Sequence, residues 1–363
     1  MILHLYFARK FLWTFLGLAL TFAVLLGLID LVDEVQDNPN LPFGEVLEIV
    51  LLNMPHANYE IMPLVLILAS VGLFVRLARS SELVVVRAAG RSALAGLAGP
   101  ATVAALIGVL AITMFNPIVA ASSKRYSDLN NRIAGVGENV LAISAEGLWL
   151  RQGTAAGQTV IHAASASPDL SVLYDATFIG FSPAGDPASR VTAATAELGA
   201  GEWTLRDAKY WDLTTGSNPE AGARFEAEMT MPASLTRERI VESFGKPEFI
   251  PIWDLPRFIA QLETAGFSAR RYAVWFQMEL AQPLFLIALV VIGAAFTMRH
   301  ARLANTGTSV LAAVMLGFGL HYIRNFAQVL GENGQIPVAL AAWAPPVASL
   351  LLAFGIFLQR EDA

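Results

Sequence analysis

Residues 79–90 read Arg-Ser-Ser-Glu-Leu-Val-Val-Val-Arg-Ala-Ala-Gly, a short amphipathic stretch between two long apolar runs. Coiled as a helix, it sets Leu83, Val86 and Ala89 on one face beside Glu82. Two roles suit it. It can lie on the lipid surface as an interfacial helix capped by Ser80 or Ser81. It can also press an apolar face and one carboxylate into a groove of a separate protein that supplies energy.

The chain's other chemistry is sparse. No Gly-x-x-x-x-Gly-Lys-Ser/Thr loop occurs, and Gly245-Lys246 is followed by Pro247 and lacks the preceding glycine. Neither a His-Glu-x-x-His helix nor a Gly-x-Ser-x-Gly elbow is present. His4, His56, His162, His300 and His321 are far apart in sequence and suggest no metal site. The absence of cysteine excludes disulfides, thiolate metal sites and thiol catalysis. A net charge of -6 with no basic face argues against a nucleic-acid partner.

Ionisable residues beside apolar runs are costly and need a reason. Glu60 reads as a residue of the irregular, wet outer interface at 55–63, in preference to a proton or substrate contact. Glu279 and Arg324 read as outer ends of spans, with Arg324 snorkelling. His321 and Tyr322 either meet a lipid headgroup or serve as interfacial anchors.

The elements that would position these residues follow from composition. The 363 residues are 55% hydrophobic and 15% charged, with mean hydropathy +0.54, too apolar for an ordinary soluble chain. About 20 apolar residues cross a hydrocarbon core of about 30 Å. Six stretches qualify: 11–29, 52–75, a part of 92–121, 280–298, 303–323 and 336–358. The first is too long for a signal-peptide core and is followed by Asp30, so it reads as an uncleaved anchor.

Basic residues set the orientation. Arg9, Lys10, Arg76, Arg79, Arg87, Arg91, Arg299, Arg302 and Arg360 fall on one side of six spans, while the loop at 30–48 has no Lys or Arg. The pattern predicts cytoplasmic termini and a central block on the opposite side. That block, 122–275, carries short alternating stretches at 147–153, 158–164, 170–181, 190–198, 203–206 and 223–231, divided by turn residues. They predict an all-β sandwich or jelly roll. An amphipathic helix is expected within 251–267, from Leu255, Phe258, Ile259 and Leu262. The fold class is therefore an α-helical membrane protein with six transmembrane helices and an inserted all-β periplasmic jelly-roll domain. Its parts are spans one to three (1–121), the β domain (122–275) and spans four to six (276–363).

This layout, with Ser-Glu-Leu-Val-Val-x-x-Ala-x-Gly at 81–90, resembles the LptF/LptG family of lipopolysaccharide export permeases over essentially the whole chain. Glu146-Gly147-Leu148-Trp149, the stretch 266–272, Gln282-Pro283-Leu284, Met54-Pro55, Met62-Pro63 and Gly334-Gln335-Ile336-Pro337 are similar to the LptG branch. The resemblance implies the membrane subunit of an ABC-type exporter. It would extract lipopolysaccharide from the outer leaflet of the inner membrane and pass it to a periplasmic bridge. The implied partners are an LptF-like six-span permease, an LptB-like ATPase dimer using ATP and Mg, an LptC-like single-span protein, lipopolysaccharide and membrane lipid. This chain itself would bind no cofactor.

The resemblance makes 79–90 a coupling helix, with Arg79, Glu82, Leu83, Val86, Arg87 and Gly90 as ATPase-docking candidates. Spans one and five would line a lateral gate, with Phe22, Leu26, Phe318, Tyr322 and Arg324 as lipid contacts. Trp149, Ile161 and Trp203 would carry lipid on inward faces of the β domain. At the end of the first span the chain departs from the family. Lysines that meet lipid A phosphates in family members are replaced by Asp30, Asp33, Glu34 and Asp37. An acidic rim repels phosphate unless divalent cations bridge it, so either Lys124, Arg125, Arg132 or Arg324 takes the lysines' role or the lipid A here has a different charge. The contrasting readings are a secondary carrier, which would need inverted repeats or charged residues at mid-membrane, neither of them evident in the sequence, and a membrane-anchored assembly factor or receptor whose β domain binds another protein.

Overall fold

A computed structural model describes residues 2–88, 90–133, 142–144, 147–154, 157–167, 171–183, 185–199, 201–214, 218–234, 246–264, 268–298 and 306–361. The chain divides into a helical unit (Met1–Asn130, Glu248–Trp253 and Arg270–Ala363) and a β unit (Asn131–Pro247 and Asp254–Ala269).

The helical unit contains α1 (Ile2–Asp37), α2 (Phe43–Arg79), the short α3 (Glu82–Ala88) and α4 (Ala93–Leu110). A π-helical turn (Ala111–Phe115) joins α4 to α5 (Asn116–Ile133). The β unit contributes α6 (Leu255–Thr264), and after it come α7 (Arg270–Thr297), α8 (Thr306–Glu332) and α9 (Val338–Glu361). Among the described residues six helices are long and apolar enough to cross a membrane, as the composition predicts.

The central helix is α7, which packs against α2, α4, α8 and α9. Its Phe285, Leu286 and Leu289 share a core with Phe7 and Phe11 of α1, Leu66, Phe74 and Leu77 of α2, and Phe357 of α9. Lipid offers no hydrophobic drive between helices, so close approach at small residues matters. A Cβ on Gly108 would sit 2.6 Å from Pro283 Cα, and one on Gly293 would sit 2.7 Å from Ser70 Cβ.

The π turn has a local cause. Pro117 has no N–H for the carbonyl four residues earlier, at Thr113, and its ring crowds that carbonyl. The helix widens just upstream, and the indole N–H of Trp253 donates to the Thr113 carbonyl at 3.4 Å.

Among the described residues the β unit forms one seven-stranded antiparallel sheet: β1 (Ala142–Ser144), β2 (Gly147–Thr154), β3 (Gly157–Ala166), β4 (Val172–Phe181), β5 (Pro187–Leu198), β6 (Glu202–Asp212) and β7 (Arg224–Pro232). The all-β insertion matches the expected class. Its strands follow one another as hairpins in sequence order, without the Greek-key crossings of a two-sheet sandwich.

One face of the sheet is apolar. Leu150 pairs with Ile161, Ile161 with Phe178, and Phe178 with Val191, forming a buried row across four strands. The inward alternation slips by one residue at Asp175 (φ 49°) and Asp207 (φ 53°). Asp tolerates this left-handed conformation, and the pairing register continues unchanged past both residues.

Candidate functional site: a tethered short helix, a groove on α8 and a buried polar cluster

The short helix α3 starts directly after α2, where Ser81 turns the chain at φ 58°. Its carboxylate is anchored to α1. Lys10 Nζ lies 2.8 and 2.9 Å from the two Glu82 oxygens, Tyr6 OH donates at 3.1 Å, and Ser80 Oγ donates at 3.0 Å. The same ammonium lies 4.4 Å from the Tyr6 ring centre. Desolvation opposes ionisation of Glu82, but the hydrogen bonds from Lys10, Ser80 and Tyr6 outweigh it and hold the carboxyl below its ordinary range.

Leu83 and Val86 share one face of α3, as their spacing predicts, and that face turns toward the bundle. Leu83 is buried and Val86 is half-buried against the helical core, whereas Val84 and Val85 face outward, Val85 being 67% exposed. Burying Leu83 removes more apolar area than burying a valine, and this orients the helix. Arg79 and Gly90 are exposed, and Gly90 has φ 73°, which suits glycine. The side chain of Arg87 lies outside the described residues, as do Ala89, Glu146, Gly266 and Phe267.

A cavity of about 230 Å³ opens between α2 and α8. Its apolar lining includes Leu64, Ile67, Leu289 and Phe318, and its polar lining includes Glu60, His321, Tyr322 and Asn325. His321 Nε2 and Asn325 Nδ2 are 3.2 Å apart, and Tyr322 is 67% exposed. Phe318 and Tyr322 thus share one site. Phe22 and Leu26 lie elsewhere, half-buried on α1, which packs against α2 and α4. At the end of α1, Asp30 accepts from Asn53 Nδ2 at 2.8 Å and Asp33 is exposed. Lys124 and Arg132 are exposed, and Arg125 pairs with Glu48 at 3.0 Å. Among the described residues no acidic or histidine group is arranged to hold a metal ion.

In the β unit Ile161 and Trp203 face inward and are fully buried. Trp203 meets the Phe178 ring edge-on at 5.8 Å and donates to Gln152 Oε1 at 3.4 Å. Trp149 does not join them. Leu148 and Leu150 take the inward positions of β2, so the pleat turns Trp149 to the other face, 38% exposed and against His162.

The expectation that Arg324 snorkels is overturned. Arg324 is 8% exposed and Glu279 is 2% exposed. Both lie well inside longer helices than the hydropathy limits suggested. Helix α7 begins at Arg270, about 13 Å before Glu279, and α8 continues about 12 Å past Arg324, at about 1.5 Å per residue. Tyr59 OH donates to Glu279 Oε2 and lies 3.2 Å from Gln282 Oε1, with its ring stacked on Phe115 at 6.0 Å. Arg324 Nη2 donates to the Met278 carbonyl at 3.3 Å, and its guanidinium lies 5.4 Å from the Phe285 ring. The Asn116 amide lies within reach of Tyr59 and Glu279, and its Oδ1 accepts from Ile252 N at 3.0 Å. Two ionisable residues flanking apolar runs were the available signal; their burial in one cluster was not readable from sequence.

Among the described residues, six helices long and apolar enough to cross a membrane, with an inserted all-β unit, are the architecture of a multi-pass membrane protein. A family model described as lipopolysaccharide export system permease LptF/LptG matches residues 5–359, and the chain belongs to that family. It is also 21% identical over 164 residues to the lipopolysaccharide export system permease protein LptG of Haemophilus influenzae. That alignment covers 44% of this chain and 44% of the relative.

Proposed function

We propose that this chain is the LptG-like membrane subunit of an ABC-type lipopolysaccharide exporter in the bacterial inner membrane. The observation that carries the reading is the family match across residues 5–359. The basic residues between spans support cytoplasmic termini and a periplasmic β unit. ATP and Mg are used by an LptB-like ATPase dimer, which docks on the outward side of α3, at Val84 and Val85, with Arg79 and Arg87 beside it. Glu82 holds that helix at its angle to α1. An LptF-like six-span permease completes the cavity, and an LptC-like single-span protein joins on the periplasmic side.

In this reading the α2–α8 groove takes acyl chain against Phe318 and Ile67 and headgroup near His321, Tyr322 and Asn325. Phe22 and Leu26 line the opposite gate through the partner permease. The acidic Asp30 and Asp33 keep bare phosphate away from the end of α1. In the β unit lipid reaches Ile161 and Trp203 only when the sheet parts, because both are closed off by their neighbours.

One observation favours a second reading, a membrane-anchored receptor. The edge strand β7 is almost wholly exposed, with Phe225 at 77%. Gentle purification from native membranes separates the two. Recovery of a soluble ATPase, a second six-span protein and lipopolysaccharide in stoichiometric amounts supports the exporter. Repeated recovery with a periplasmic protein alone, or with no companion, sinks it.

A further inference from the structure

We propose that Glu279 and Arg324 position α8, as two buried charges that exchange partners when α8 moves against α7. The proposal rests on the reading of α8 as the helix lining the lipid path.

Charges buried this deeply are costly unless paired. Yet among the described residues no ion pair joins these two. Glu279 is served by the Tyr59 hydroxyl. Arg324 is served by one backbone carbonyl and an aromatic face, and its Nε is buried with no hydrogen-bond partner. The carbonyl belongs to Met278, the residue immediately before Glu279 on the same helix. The guanidinium is also close enough to act on the carboxylate electrostatically.

Each charge is therefore held by a weaker partner beside a stronger one. A small slide of α8 along α7 trades the Met278 carbonyl for the Glu279 carboxylate. A packed interface with two such arrangements switches between them and does not deform continuously.

The cluster also reaches the segment Glu248–Trp253. Asn116 directly follows the π turn and bonds Ile252 N, and Trp253 bonds the Thr113 carbonyl. π turns recur at functional sites. The chain enters this segment from the β unit and returns to it.

The test uses paired spin labels on the full-length protein in lipid nanodiscs. The chain has no cysteine, so Leu280→Cys and Phe326→Cys, both at exposed positions, label α7 and α8 cleanly. The protein with native Glu279 and Arg324 is expected to show two distance populations, while Glu279→Gln and Arg324→Met each leave one. The double variant Glu279→Gln with Arg324→Met is expected to regain thermal stability, since no lone charge stays buried, but not the second population. If the double variant regains both, the pair only packs and the proposal is overturned. One population throughout, or two in every variant, also overturns it. Should the single variants fail to accumulate, Tyr59→Phe keeps the ring on Phe115 and is expected to shift the populations. Unchanged populations there reject the proposal. The distances are read without transport, so failure here is distinguishable from failure of the exporter reading, which companion purification tests.

Discussion

Lys10 Nζ meets both carboxylate oxygens of Glu82, at 2.8 and 2.9 Å, joining the first turns of α1 to a helix that begins 72 residues later. Tyr6 and Ser80 complete the set, so the angle of α3 is fixed by side chains of two other elements.

Glu82→Gln is expected to cost roughly 0.2–1 kcal/mol, because both partners are partly exposed. The folded carboxyl titrates below its ordinary value of 4.5, so the folded state favours the charged form. Its contribution is complete above the titration of the unfolded group and is lost as pH falls through the lower folded value. Thermal unfolding of Glu82→Gln and the parent across the acid range should show two curves that converge at low pH. A gap that widens on acidification contradicts the assignment.

Val85→Asp is expected to leave thermal stability unchanged, since the side chain already faces outward. It should abolish co-purification of the ATPase. Wild-type stoichiometry in that variant rules out the outward face of α3 as the docking surface.

Trp203→Ala removes a fully buried aromatic and its bond to Gln152. A loss of about 3–5 kcal/mol is expected. Trp149→Ala, on the other face, should cost less than about 1 kcal/mol. Denaturant titration followed by near-ultraviolet circular dichroism compares the two, and equal losses would refute the assignment of faces.

Gly108→Val places a side chain against the Pro283 backbone, where even a Cβ lies 2.6 Å from Cα. Neither backbone can yield cheaply, and a loss of about 1–3 kcal/mol is expected. The midpoint of thermal unfolding in detergent measures it. Gly17→Val, at a position with open space around it, is the control and should behave as the parent.

Sequence alone determined the six spans and the all-β insertion. Long uncharged runs and period-two alternation are local patterns that need no partner to be read. It also singled out 79–90 as a helix with an acidic residue between spans. Individual facings were a different matter. The outward turn of Val85 depends on which side of α3 the bundle covers, and the outward turn of Trp149 depends on which register of β2 the sheet adopts. Glu279 and Arg324 looked like span ends because hydropathy stops at a charge, while a helix continues as long as its backbone hydrogen bonds do. Their meeting with Tyr59 and Asn116 joins four helices separated by as much as 265 residues. No local pattern encodes such a contact; only the packing of α2, α5, α7 and α8 brings those side chains together.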